Sequence, residues 1–175
     1  SMGYYDIDDI LADGEKIPCR FNLSVPGLGY LEGNPGKSID KDTKLDLPLW
    51  LAAVLAVCTI SDDADESFVD LLEPDFISPK VLNAIKADPK SVDLHSIMSH
   101  FYTLAEKWAA MYNEASLVET AMAMLKERAL EIDNFASNNT KHVSSNFLYS
   151  LDEFEKKLYR VTYESKKEMR AWTND

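Results

Sequence analysis

The spacing of apolar residues changes near residue 45 of the chain. Before that point short alternating runs are broken by Pro and Gly; beyond it apolar side chains recur at steps of three and four. Tyr4 to Asp13 carries Ile7, Ile10 and Leu11 at helical spacing, with Asp6 or Asp8 placed to cap and Gly14 placed to stop the helix. Ile17, Cys19, Phe21 and Leu23 alternate as in a strand, and Pro18 inside the run predicts an edge strand or a strand start. Pro26-Gly27 and Gly33-Asn34-Pro35-Gly36 read as turns on either side of a second short strand, Leu28 to Glu32, and Ile39 to Leu47 supplies a third.

Pro48 fits the first position of a helix, where a missing N–H is harmless. From Leu49 to Cys58 nothing is charged, which predicts a helix wanted on several sides at once, and so a central one. It is too short to cross a bilayer, which takes about 20 residues. Thr59 to Ser67, with Asp62, Asp63, Asp65 and Glu66, reads as a solvated acidic loop and Phe68 to Leu72 as a brief apolar segment. Ser78-Pro79 opens a helix carrying Val81, Leu82 and Ile85, which Asp88-Pro89 ends.

Three longer helices follow. The first starts at Asp93 and presents Leu94, Ile97, Phe101, Leu104, Trp108 and Met111 on one face. The second, from about Glu114 to Ala136, aligns Val118, Met122, Leu125, Ala129, Ile132 and Ala136. The third, from about Ser145 to Trp172, aligns Phe147, Leu151, Phe154, Leu158, Val161, Ser165, Met169 and Trp172. The expected fold is α+β, mainly α: a small N-terminal β-rich domain over residues 1–47, then a larger helical bundle domain over residues 48–175. Leu47, Pro48 and Trp50, at the junction, are the expected inter-domain packing residues.

Charge narrows the function classes. Over 175 residues, 30 acidic side chains stand against 18 basic ones, a net charge of −12. A duplex is gripped by clustered Lys and Arg, so direct nucleic-acid binding by this chain alone is disfavoured. Cys19 and Cys58 have no ligand-like spacing and no basic-then-apolar leader opens the chain, which together fit a reducing compartment. His95 and His100 are five apart, which turns them to different sides of a helix, and His142 sits in a loop; no metal site is expected. There is no GxSxG, and Gly27, Gly29 and Gly33 miss the GxGxxG spacing, so neither a nucleophile elbow nor a phosphate cradle is expected. The reading is of a chain that is no enzyme and takes no cofactor.

Aromatic residues are plentiful on the helices: Phe101, Tyr102, Trp108 and Tyr112 nearly encircle one of them. Either all of them face one core, or helices apolar on more than one side are shared with a partner. The second reading nominates Phe101, Trp108, Tyr112, Leu151, Phe154, Leu158 and Trp172 as partner-interface residues.

Tyr4-Tyr5-Asp6-Ile7-Asp8-Asp9-Ile10-Leu11, Pro26-Gly27-Leu28-Gly29-Tyr30-Leu31-Glu32, Thr43 to Ala52, and Ala87-Asp88-Pro89 through His95 to Phe101 stand together in order and spacing. In that arrangement they resemble the third Psf subunit of the eukaryotic GINS complex, in a budding-yeast form, over essentially the whole chain. The resemblance implies a helical A domain and a small β-rich B domain, the B domain first. It implies a non-catalytic subunit of a heterotetramer with three sibling GINS subunits. That assembly would join the MCM ring and the Cdc-forty-five protein in the replicative DNA helicase, couple it to the leading-strand DNA polymerase, and act in the nucleus, off any membrane. Two other readings remain: an independent acidic helical adaptor binding a partner peptide in a groove, and a small hydrolase using paired carboxylates.

Overall fold

The computed structural model describes residues 7–59, 65–138 and 145–173. The chain divides into two compact units, residues 1–74 and 75–175. The division therefore falls after Pro74 rather than after residue 47, because the helix and the apolar segment that follow residue 47 belong to the N-terminal unit.

That unit runs α1 (Ile7–Asp13), β1 (Lys16–Phe21), β2 (Lys44–Pro48), α2 (Leu49–Val57) and β3 (Val69–Leu71). Gly14 ends α1 as its sequence position predicts, donating its N–H to the carbonyls of Ile10 and Leu11. The three strands form one antiparallel sheet in the order β2-β1-β3. The segment Phe68 to Leu72 thus contributes a strand, and β1 is central rather than an edge. Pro18 is compatible with that place for a local reason. Odd residues of β1 face β2: the Phe21 N–H donates to Thr43 O at 2.9 Å. Even ones face β3: the Asn22 N–H donates to Phe68 O at 2.9 Å, and Pro18 O accepts from the Leu72 N–H at 2.8 Å. Pro18 stands opposite Leu72, just past the end of β3, so its missing N–H forgoes only the one bond that would return to Leu72 O.

Two expected strands are altered. Gly29–Glu32 is a 3₁₀ turn, not a strand. The chain doubles back so tightly there that a Cβ on Gly29 would lie 2.4 Å from Asn34 O and 2.5 Å from Lys37 O. The third strand is confined to Lys44–Pro48, with Ile39 making an isolated bridge to Val25 and Asp42 at φ 67° turning the chain between them. Cys19, Phe21, Ile39, Leu47, Ala52 and Val69 form the core, with Leu51, Leu55 and Ala56 of α2 packed against it. Pro48 ends β2 and precedes α2 instead of opening it; the first helical residue, Leu49, donates its N–H to Glu15 O at 2.9 Å. Nor is α2 enclosed: Leu49 and Ala52 are buried, while Trp50, Val54 and Val57 are exposed.

The second unit contains α3 (Pro79–Ala87), α4 (Leu94–Ile97), α5 (Phe101–Tyr112), α6 (Ala115–Ser137), α7 (Asn146–Tyr149) and α8 (Glu153–Thr173). Ser78 caps α3 as expected, its hydroxyl accepting from the Val81 N–H. The helix expected from Asp93 is broken at extended Met98, so that Ser99 O can accept from the Glu153 N–H at 2.8 Å. The helix expected over 145–172 is likewise interrupted, at Ser150 to Asp152. On α6 the buried stripe is Leu117, Ala121, Met124, Arg128, Ile132 and Ala136, whereas Val118 and Met122 are exposed. The stripe expected from apolar periodicity is displaced because a charged residue, Arg128, occupies the centre of the real one.

Candidate partner interface

The helical unit is organised around a polar centre. Arg128 and Glu155 are both 0% exposed. Arg128 Nε and Nη2 donate to the two carboxylate oxygens of Glu155 at 2.6 and 2.9 Å, a two-pronged pairing that matches a planar guanidinium to a planar carboxylate. The remaining donors of Arg128 are satisfied by main-chain carbonyls: Nη1 by Pro89 and Val92, at 3.1 and 2.9 Å, and Nη2 by Ser150 at 3.2 Å. The Phe147 ring lies 5.3 Å from the guanidinium carbon and stacks on Phe135. The Tyr102 hydroxyl donates to Glu155 Oε2 at 3.1 Å. Arg128 and Glu155 are each other's counterpart, the condition under which such buried charges are tolerated.

Asp152 and Glu155 also start α8. The Glu155 N–H donates to Asp152 Oδ1 at 2.8 Å, and the Asp152 N–H donates to Glu155 Oε1 at 3.2 Å, the reciprocal capping arrangement of a helix N-terminus. Burial raises the pKa of Asp152 to about 7, reinforced by the neighbouring Glu155 and opposed by the backbone N–H donors and Arg128. Burial also pushes the Tyr102 hydroxyl far above its usual range. Sequence reasoning missed this centre; the Asp152-Glu153-Phe154-Glu155 spacing was its visible signal.

From this anchor α8 runs in the same direction as α6, since Glu155 meets Arg128 and Lys166 meets Asp133 at 2.8 Å. Lys166 also donates to Ser137, the last residue of α6. Among the described residues of α8 only Glu155 is buried. Leu158, Tyr159, Thr162 and Lys166 are half-buried, while Phe154 and Ser165 are exposed; Val161 is 68%, Met169 65% and Trp172 84% exposed. At 100° per residue, 154, 161, 165 and 172 fall about a quarter turn from the line through Glu155, Thr162 and Lys166. The apolar stripe of α8 is real, but it lies along the flank of the helix.

The nominated interface residues therefore separate. Phe101, Trp108 and Leu151 are buried in the unit's own core and offer no surface. Tyr112, Phe154 and Trp172 are exposed and Leu158 is half-buried. Of the junction residues, Leu47 lies in the core of the N-terminal unit, Pro48 is half-buried and Trp50 is exposed. Among the described residues no group of three or more His, Cys, Asp or Glu is placed to hold a metal ion, and no helix is long and apolar enough to cross a membrane.

The model of the PSF3 N-terminal domain matches residues 5–57, and that of the GINS complex protein helical bundle domain matches residues 76–174. The chain belongs to the PSF3 family of GINS proteins. The DNA replication complex GINS protein PSF3 of Debaryomyces hansenii is 62% identical over 175 residues, covering 100% of this chain and 99% of that protein. The protein of the same name from Saccharomyces cerevisiae is 46% identical, with 98% of each chain covered. That of Aspergillus fumigatus is 43% identical over 99% of this chain and 98% of its own. The family assignment thus extends over both units, with the stretch between the two matches containing β3 and the division after Pro74.

Proposed function

We propose that this PSF3-family chain is a non-catalytic structural subunit of a GINS complex, one of four siblings in a heterotetramer. Through that complex it serves the initiation and elongation of chromosomal DNA replication in the nucleus. There it works with the MCM ring and the Cdc-forty-five protein in the replicative helicase, and in coupling that helicase to the leading-strand polymerase. The reading rests on the exposed flank of α8, in a family whose named members belong to a DNA replication complex. A sibling helix laid on Phe154, Val161, Met169 and Trp172 would remove from water side chains worth roughly 1.5–3 kcal/mol each. With a net charge of −12 the chain is a poor ligand for a duplex, so its service to DNA runs through its partners.

Co-expression with the three siblings tests this. Val161→Asp with Met169→Asp should abolish co-purification while the helical content of the chain is retained. Assembly at the wild-type level would overturn the interface.

A groove of about 340 Å³ between α3 and α6, lined by Ile85, Pro89, Ala123 and Met124 with Lys86, Glu119 and Glu127 also on its wall, is where an adaptor's peptide would lie. Glu119→Lys with Glu127→Lys separates the two readings: GINS assembly should survive it.

A further inference from the structure

We propose that the Arg128–Glu155 pair is a positioning device, which keeps the apolar flank of α8 turned outward for a sibling's helix and is present for orientation rather than for stability. The inference rests on the interface reading above.

Apolar packing does not explain how α8 is rotated about its own axis. Toward α6 it presents Thr162 and Lys166 together with the half-buried Leu158 and Tyr159, while Val161 and Met169 remain in solvent. Rolling the helix by about a quarter turn would carry Phe154, Val161 and Trp172 inward and return Tyr159 and Lys166 to water, an exchange that the hydrophobic effect favours on balance. The groups that oppose this roll are polar. Glu155 is held by both prongs of Arg128, and its own N–H is tied to Asp152. Arg128 cannot follow a rolling helix, because Pro89, Val92 and Ser150 hold the other side of its guanidinium from two further segments. The Lys166–Asp133 pair, 2.8 Å apart, adds a second restraint about three turns along. A buried ion pair is roughly neutral for stability against an apolar substitute of like volume, yet it admits fewer arrangements. That is the combination a presented interface needs.

The test compares Arg128→Met with the double variant Arg128→Met/Glu155→Met, in the full chain and in co-expression with the three siblings. The single variant leaves a buried carboxylate unpaired and should lose both stability and assembly. The double variant should recover most of the unfolding midpoint that the single variant loses, falling short of wild type only by the donors that Pro89, Val92 and Ser150 still lack, but remain at least tenfold weaker in binding its siblings. Recovery of both together would make the pair merely structural and overturn the proposal. Should the double variant fail to fold, Arg128→Lys keeps the cation and removes the two-pronged geometry. It should fold, bind at least tenfold more weakly, and lower the thiol reactivity of a Ser165→Cys probe on the exposed flank at least threefold as the flank turns in. Wild-type affinity with unchanged probe reactivity would overturn the proposal. The Ser165→Cys measurement is made on the free chain. It therefore judges the positioning role even if Val161→Asp/Met169→Asp shows that no sibling sits on this flank.

Discussion

Arg128 of α6 and Glu155 of α8 meet through two parallel hydrogen bonds, 2.6 and 2.9 Å long, with neither side chain exposed to water. The two residues are 27 apart in sequence. Between them they fasten the segment at Pro89–Val92, the turn at Ser150 and the first turn of α8.

Removing one partner is far worse than removing both. Arg128→Met should destabilise the helical unit by about 3–5 kcal/mol, since Glu155 is left buried and unpaired and three main-chain carbonyls lose donors. Urea unfolding of the full chain, followed by circular dichroism, measures the shift.

Asp152 gives the unit a pH dependence. Its folded pKa is raised to about 7 from an ordinary 3.8, so the folded state holds a proton that the unfolded state has already released. Between about pH 4 and 7 the contribution of this group to stability falls as pH rises, and above 7 its loss is complete. The groups around it are Glu155, Tyr102 and Arg128. Asp152→Asn keeps a capping oxygen and removes the titration, so unfolding midpoints measured from pH 4.5 to 7.5 should vary less with pH than those of the wild type.

The two thiols should react at very different rates. Cys58 is exposed, whereas Cys19 lies in the core of the sheet and burial pushes its pKa up to about 11. A maleimide at neutral pH should label Cys58 within minutes and Cys19 only after denaturant is added, as read by mass spectrometry. Equal labelling of both would place Cys19 outside the core.

Gly29 is required for space rather than for backbone freedom. Gly29→Ala sets a methyl 2.4 Å from Asn34 O, against main chain that cannot swing away, and should cost about 1–3 kcal/mol. At Gly33 no atom lies within 4 Å of an added Cβ and only φ of +79° resists, so Gly33→Ala should cost about 1–2 kcal/mol. Paired unfolding curves compare the two.

Much of this architecture was legible in the sequence where a local rule decides it. The alternation Ile17-Cys19-Phe21, the stop at Gly14, the cap at Ser78-Pro79 and the change from a small β-rich part to a helical one all follow from spacing. Long-range pairing was not legible. Nothing near Val69 announces that it joins a strand about 50 residues earlier, and so the division between units was expected too soon. The polar centre escaped because a periodicity reading counts Arg and Glu as surface residues. On α6 that moved the expected stripe onto Val118 and Met122, and at α8 it hid the helix start at Asp152. The candidate interface was half legible: the apolar flank of α8 was evident, but Phe101, Trp108 and Leu151 could not be told from core without the fold.

The place of β3 has a consequence for how the N-terminal unit is made. Its sheet is completed by a strand that leaves the ribosome about twenty residues after β2, an interval of ~1–4 s at ordinary elongation rates. Until Val69 emerges, the nascent chain carries an open edge on its middle strand and an unfilled place among Cys19, Phe21 and Leu47. A polypeptide cut at residue 57 would remain in that unfinished state, prone to pair its bare edge with a neighbour, whereas one cut at 74 carries every strand of the sheet.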